Sequence, residues 1–278
     1  MTDAELDLLL RRVRVNLILA RLIRLMLLAA LVAAGASVAL ANSTAAVRLS
    51  WLGLLAVLGC WMWLVWQAAR STEQTSLAAE LIGQGRLSQA EALLRAVVGR
   101  FSIMDSSRLI CCHHLAVVTR ALGRHAQAAR IAAVVARGRW FEGSGPLVLT
   151  ASTLLADCLL STGDIDGAGR ALARLKPKAM SLAERLAILP TELRYELASQ
   201  RYGQRLERLA ETVRLSELLE APQAAEVNGL LAVACHRARR PAEARFLARR
   251  AMLYHDLDQL PDHCGVLREV PAIAQRAD

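Results

Sequence analysis

Residues 77–90 read LAAELIGQGRLSQA, and the order of residue types in this stretch decides the fold. Leu77-Ala78, six residues, Gly85-Arg86, three residues, Ala90 returns as Leu115-Ala116, Gly123-Arg124, Ala128, and again as Leu155-Ala156, Gly163-Asp164, Ala168. Leu231-Ala232, Arg239-Arg240, Ala244 has the same internal length. The leading leucines lie 38, 40 and 76 residues apart, and the double spacing calls for a hidden copy near residue 193. Leu193, Arg201-Tyr202, Leu206 stands there, with Arg194 and Leu206 in place of the two small residues. Five copies at a near-constant period imply stacked helical hairpins. The Leu is a packing knob, the alanines let antiparallel helices approach, and the Gly closes the first helix because it reaches left-handed dihedrals without a Cβ penalty. Copies four and five carry Arg201 and Arg239 in place of that Gly.

On these residues the stretch from about Thr72 to Asp256 resembles the tetratricopeptide (TPR) family, with its Leu-small pair in helix A, Gly in the turn and Ala in helix B. The resemblance implies an α-solenoid of about five hairpins over residues 70–256, with a concave groove lined by the first helix of each hairpin. Residues 257–278 are then a C-terminal capping segment and tail: Leu257–Val270 as a short helix over the last hairpin, and Pro271–Asp278 frayed.

The N-terminal quarter has another character. Thr2-x-x-Glu5 is a capping-box signature, followed by Leu6, Leu9, Leu10, Val13 and Leu17 at helical spacing and by Arg11, Arg12, Arg14, Arg21 and Arg24. Residues 1–24 read as an amphipathic helix at a membrane surface. Leu25–Ala41 has 17 uncharged residues, about 25 Å of helix. Asn42–Arg48 is a polar connection. Leu49–Ala69 follows with 21 uncharged residues, about 31 Å, with tryptophans biased toward its ends. The reading is an all-α chain in which a two-helix transmembrane hairpin (25–41 and 49–69) precedes the repeats. Ala39-Leu40-Ala41 also fits a signal-peptidase site, but the long leading region with three acids favours a retained span.

The formal net charge is +9. Basic residues are spread along every helix and aromatics make up only 4%, which speaks against nucleic acid. Six cysteines without C-x-x-C spacing suit free thiols in a reducing compartment. Cys111-Cys112-His113-His114 invites a metal reading, yet successive helical side chains diverge by about 100° and cannot converge on one ion. Cys112, three before Leu115, and Cys235, four after Leu231, read as core thiols, with His113 and His114 at the surface. No P-loop, dinucleotide fingerprint, zinc-protease motif or nucleophile elbow occurs. No catalytic residue, metal ligand or cofactor is nominated.

Function is expected to be that of a membrane-tethered protein–protein interaction scaffold. Its layout resembles bacterial inner-membrane proteins that join a two-span N-terminus to TPR repeats. Five arginines precede the first span and only Arg48 lies between the spans, so the repeats belong on the cytoplasmic side. The groove face of each first helix comprises positions −5, −2, +2, +5 and +6 from the leading Leu. That set contains Thr72, Thr75 and Ile82; Ile110, His113, Val117 and Arg120; Thr150, Thr153, Asp157 and Leu160; Ile188, Thr191 and Tyr195; and Glu226, Val233, His236 and Arg237. Such a face suits a protein or peptide partner, with Arg120 and Tyr195 as candidate hot spots. The alternative is a heme- or metal-sensing repeat module using His113 and His236.

Overall fold

A computed structural model of the chain describes residues 2–40, 44–137, 145–175, 180–257 and 265–275. The described residues form thirteen α-helices and no strand. Residues 138–144, 176–179 and 258–264, and the end of the expected tail, 276–278, lie outside them. Contacts divide the chain into two compact units, Met1–Val135 and Ala136–Asp278.

In the first unit, α1 runs Asp3–Leu40 and α2 runs Thr44–Gly83. The Thr2–Glu5 capping box is present: Glu5 N–H donates to Thr2 Oγ1 at 3.3 Å and Thr2 N–H to the Glu5 carboxylate at 2.8 Å. Helix α1 runs through residues 24–25 without a break, because composition changes there but no Gly, Pro or capping residue stops the helix. The polar connection is also shorter than expected, since Thr44–Arg48 already belong to α2. Likewise α2 passes unbroken from its apolar run into the first helix of the first hairpin. Both helices are long and apolar enough to cross a membrane. Leu25, Met26, Leu28, Val32, Trp51, Leu55, Trp61, Met62, Trp63 and Trp66 are exposed on them.

The hairpin α2/α3 (Leu87–Gly99) is followed by α4 (Asp105–Ala121) and α5 (His125–Ala136), and α2 and α4 also pack side by side. The first turns of α1 do not present Leu6, Leu10 and Val13 outward, as an interfacial helix would; all three are buried, with Ala20. The segment lies against the second helices of the hairpins. Gln127 and Arg130 on α5 bond Asp3 and Asp7, and α1 packs on α3. Farther along, Arg24 pairs with Asp105 at the start of α4. An apolar face that finds protein to cover it has no need of a bilayer there.

The second unit holds α6 (Gly145–Ser161), α7 (Ile165–Ala173), α8 (Leu182–Ala198), the short α9 (Gly203–Glu207) and α10 (Leu209–Ser216), then α11 (Ala221–Arg237) and α12 (Pro241–Tyr254). A 3-10 turn at Val266–Glu269 leads into α13 (Val270–Gln275). Ser181 and Glu184 make a reciprocal capping box at the start of α8. Pro190 sits within α8 without dividing it. Pro271 does not begin a frayed tail; it occupies the first turn of α13, where a missing N–H costs nothing, and Val270, Ile273 and Ala274 are buried.

One turn geometry recurs at the repeat positions. Gly85, Gly123 and Gly163 have φ of 72°, 77° and 82°, and Arg239 adopts 59°. In each case the following N–H donates five residues back: Arg86 to Leu81, Arg124 to Thr119, Asp164 to Leu159 and Arg240 to Cys235. This is the hydrogen bond that closes a helix over a left-handed residue. Copy four makes the same turn one residue early: Gln200 has φ 58° and Arg201 N–H donates to Glu196. The lost helical residue is returned to the turn, so Leu206 stays in phase and is buried. Its second helix is interrupted at Arg208. Ala90, Ala128, Ala168 and Ala244 have no exposed surface. The leading Leu115, Leu155, Leu193 and Leu231 are buried, whereas Leu77 is 48% exposed.

Candidate functional site

The groove positions divide into those that stay accessible and those that the packing consumes. Ile110 and Arg237 are exposed, and His113, Val117, Arg120, Thr153, Tyr195 and His236 are half-buried. Asp157, Leu160, Thr191 and Val233 are buried. The cause is a seam that helical periodicity on one hairpin cannot reveal. First helices pack directly on one another (α2 on α4, α6 on α8, α8 on α11), and Thr75, Asp157 and Thr191, each two residues from a leading Leu, fall in that seam. Thr75 on α2 therefore meets Cys111 on α4, Oγ1 to Sγ 2.9 Å. On α8 Thr191 Oγ1 donates to Asp157 Oδ1 of α6 at 2.9 Å.

Arg194 completes the seam of the second unit. Its Nη1 lies 3.0 Å from Asp157 Oδ1 on α6, and its Nη2 lies 2.5 Å from Glu226 Oε1 on α11. One buried guanidinium thus joins three first helices. Sequence reasoning passed over Arg194 as an irregular substitute for the small residue; the signal was Asp157 and Glu226 at face positions on the helices before and after it.

The expected hot spot of this unit, Tyr195, is also used internally. The Tyr195 hydroxyl lies against Gly169 of α7, where an added Cβ would come within 2.7 Å of it. On α11 the expected groove is filled by the chain itself. A Cβ at Gly229 would lie 2.9 Å from Leu267 and 3.5 Å from Val270, and Arg237 Nη2 donates to Glu269 at 2.9 Å. The capping segment therefore covers the very face of the last hairpin that was expected to be open, and Val233 is buried.

A pocket of about 490 Å³ opens in the second unit between α6, α8 and α11. Leu160, Leu197, Leu230 and Val266 give it apolar walls, Arg194 lies at its base, and Ser161, Ala198 and Arg237 line its mouth.

Cys111 and Cys112 are both buried, and burial pushes the Cys112 thiol up to about 12. Cys235 is buried and held near 11 by the same cause. His113 and His114 are half-buried rather than on the surface as expected, their rings edge-to-face at 6.0 Å. Burial, then the neighbouring imidazole, lowers His113 to about 4. No group of three or more His, Cys, Asp or Glu side chains placed to hold a metal ion occurs among the described residues. His113 and His236 belong to different compact units.

Comparison with protein-family models, with curated proteins and with solved structures found no match to this chain.

Proposed function

We propose that this chain is a membrane-tethered, non-catalytic interaction scaffold. In this reading α1 and α2 cross the cytoplasmic (inner) membrane as a hairpin, and a TPR-like stack of hairpins offers its remaining groove to a protein or peptide partner in the cytoplasm. The observation that carries the reading is the continuity of α2. One helix exposes Trp51, Leu52, Leu55, Trp61 and Trp66 and then, without a break, supplies the first helix of the first hairpin. Large apolar side chains left exposed over such a length are costly in water, about 25 cal/mol per Å². A bilayer removes that cost and makes the tether rigid.

The docking of α1 on α3, α4 and α5 supports a retained first segment, because a cleaved leader would take with it Leu6, Leu10 and Val13 of the folded unit. Arg11, Arg12 and Arg14 are exposed before the first apolar run and support a cytoplasmic N-terminus. A reporter active only outside the cytoplasm, fused after Asp278, should then be silent.

In the groove, the 490 Å³ pocket is the anchoring point we assign to an apolar partner side chain. Ala198→Arg fills its mouth from an exposed helical position. Co-purification from detergent-solubilised membranes should retain a partner with the wild type and with the exposed control Gln223→Arg, and lose it with Ala198→Arg. Equal retention by all three chains contradicts the placement of the site.

A further inference from the structure

A second pocket, of about 370 Å³, opens in the first unit where α2 leaves its apolar run. It is lined by Trp66, Gln67, Arg70, Gln74, Arg100 and Phe101. We propose that these six residues bind the phosphate-bearing headgroup of an anionic membrane lipid. The proposal rests on the membrane reading above and adds a ligand to it.

Position is the first argument. Leu64 of α2 and Ile103 of the α3–α4 loop are buried together, with Ile23 and Leu27 of α1 and Phe101 packed on them. This cluster sets the depth at which the loop meets the two apolar helices. Trp66 and Arg70 are the next residues along α2, with the aromatic ring on the apolar side and the cation beyond it. That order places the pocket at headgroup level.

Chemistry is the second. The Arg70 guanidinium stacks over the Trp66 ring, 3.8 Å from its centroid. Arg100 Nη1 donates to Gln74 Oε1 at 3.2 Å, and neither arginine makes an ion pair among the described residues. Glu73 is exposed one turn farther along α2, and Asp105 is already engaged by Arg21 and Arg24. Two arginines facing one concavity without a carboxylate, beside two aromatic rings and two amides, match a phosphodiester with its glycerol stem.

Pre-organisation is the third. Arg108 is buried beneath the loop, donates from Nη2 to the carbonyls of Arg100 (3.3 Å) and Ser102 (3.1 Å), and holds its guanidinium 5.9 Å from the Phe101 ring. Its Nε and Nη1 are buried without a hydrogen-bond partner. A buried cation left half-satisfied behind an open pocket is stabilised when an anion enters in front of it.

The test uses the full chain in a neutral detergent, with phosphatidylglycerol and phosphatidylcholine added at equal concentration and bound lipid counted by native mass spectrometry. The wild type should prefer phosphatidylglycerol by about tenfold or more. Arg70→Gln with Arg100→Gln should bring the two lipids to parity, as should Gln74→Glu, which supplies Arg100 with an internal carboxylate. Arg11→Gln with Arg12→Gln, exposed on α1, should leave the preference intact. A preference that survives in both pocket variants, or that disappears equally in the α1 variant, overturns the proposal. Sodium phosphate matched to the lipid concentration should not displace phosphatidylglycerol; displacement would make the ligand free phosphate and overturn the lipid assignment. A chain that resists alkaline extraction from membranes yet shows no lipid preference loses this pocket alone. A chain washed off by alkali loses both the pocket and the membrane reading.

Discussion

Arg194 and Asp157 face each other across the seam between α8 and α6, Nη1 to Oδ1 3.0 Å, and both are at least nine-tenths buried. Glu226 closes the other side of the same guanidinium. Breaking such a group from one side strands charge in a low-dielectric seam. Arg194→Met should therefore cost about 3–5 kcal/mol in chemical denaturation of the detergent-solubilised chain. Combining it with Asp157→Asn and Glu226→Gln should recover part of that loss, since no charge is then left unpaired. A triple variant less stable than Arg194→Met would contradict the assignment.

The small residues of the repeat make an independent prediction. Ala128 on α5 has no exposed surface. Ala128→Leu inserts three carbons where the helices leave no room and should cost about 1–3 kcal/mol. The same substitution at exposed Ala242 should change stability little. An unchanged melting temperature for Ala128→Leu would show that the contact yields.

Turn chemistry predicts opposite signs at equivalent positions. Gly123 has φ 77°, and Gly123→Ala should destabilise by about 1–2 kcal/mol. Arg239 occupies the corresponding place at φ 59° at some cost. Arg239→Gly should be neutral or stabilising by up to about 1 kcal/mol. Thermal denaturation of the two variants side by side reads both signs, and a clear loss from Arg239→Gly would assign that side chain a role beyond the turn.

These turns mark how far the sequence carries the fold. The Gly at 85, 123 and 163 announced the left-handed residue, and Arg239 kept its place by count alone. Copy four kept the period but moved its turn to Gln200, a shift that residue types do not encode because Gln is a neutral choice at either position. The groove was legible only in part. Periodicity on one helix says which residues lie opposite Leu155, but not that α8 will press on Asp157, nor that Leu267 will return across the chain to cover Gly229. Those are contacts between elements far apart in sequence, and no local pattern contains them. The buried face of α1 was read correctly as apolar and assigned to the wrong neighbour, since Leu6, Leu10 and Val13 look alike to a bilayer and to a helix.

Acid should weaken the first unit in a window set by His113. Burial lowers its folded value to about 4 from an ordinary value near 6.5, so the unfolded chain binds the proton more readily between these limits. Stability is then full above pH ~6.5 and falls as pH drops toward 4, by about 2 kcal/mol after allowance for partial exposure. The Glu91 carboxyl, held below its usual range by Arg124 and Arg95 against the opposing effect of burial, contributes only at lower pH, where its ion pairs are lost. His113→Gln should flatten the pH dependence of the melting temperature between 4 and 6.5; a slope equal to that of the wild type would move the titration elsewhere.

The tether itself is tested most directly by alkaline extraction of membranes from cells that produce the full chain. The account predicts that the protein stays in the membrane pellet at high pH, where ion-paired peripheral proteins are released, because α1 and α2 expose apolar surface that only the bilayer interior covers. Release of the chain into the alkaline supernatant would contradict it, and would require the exposed tryptophans of α2 to be covered by protein instead.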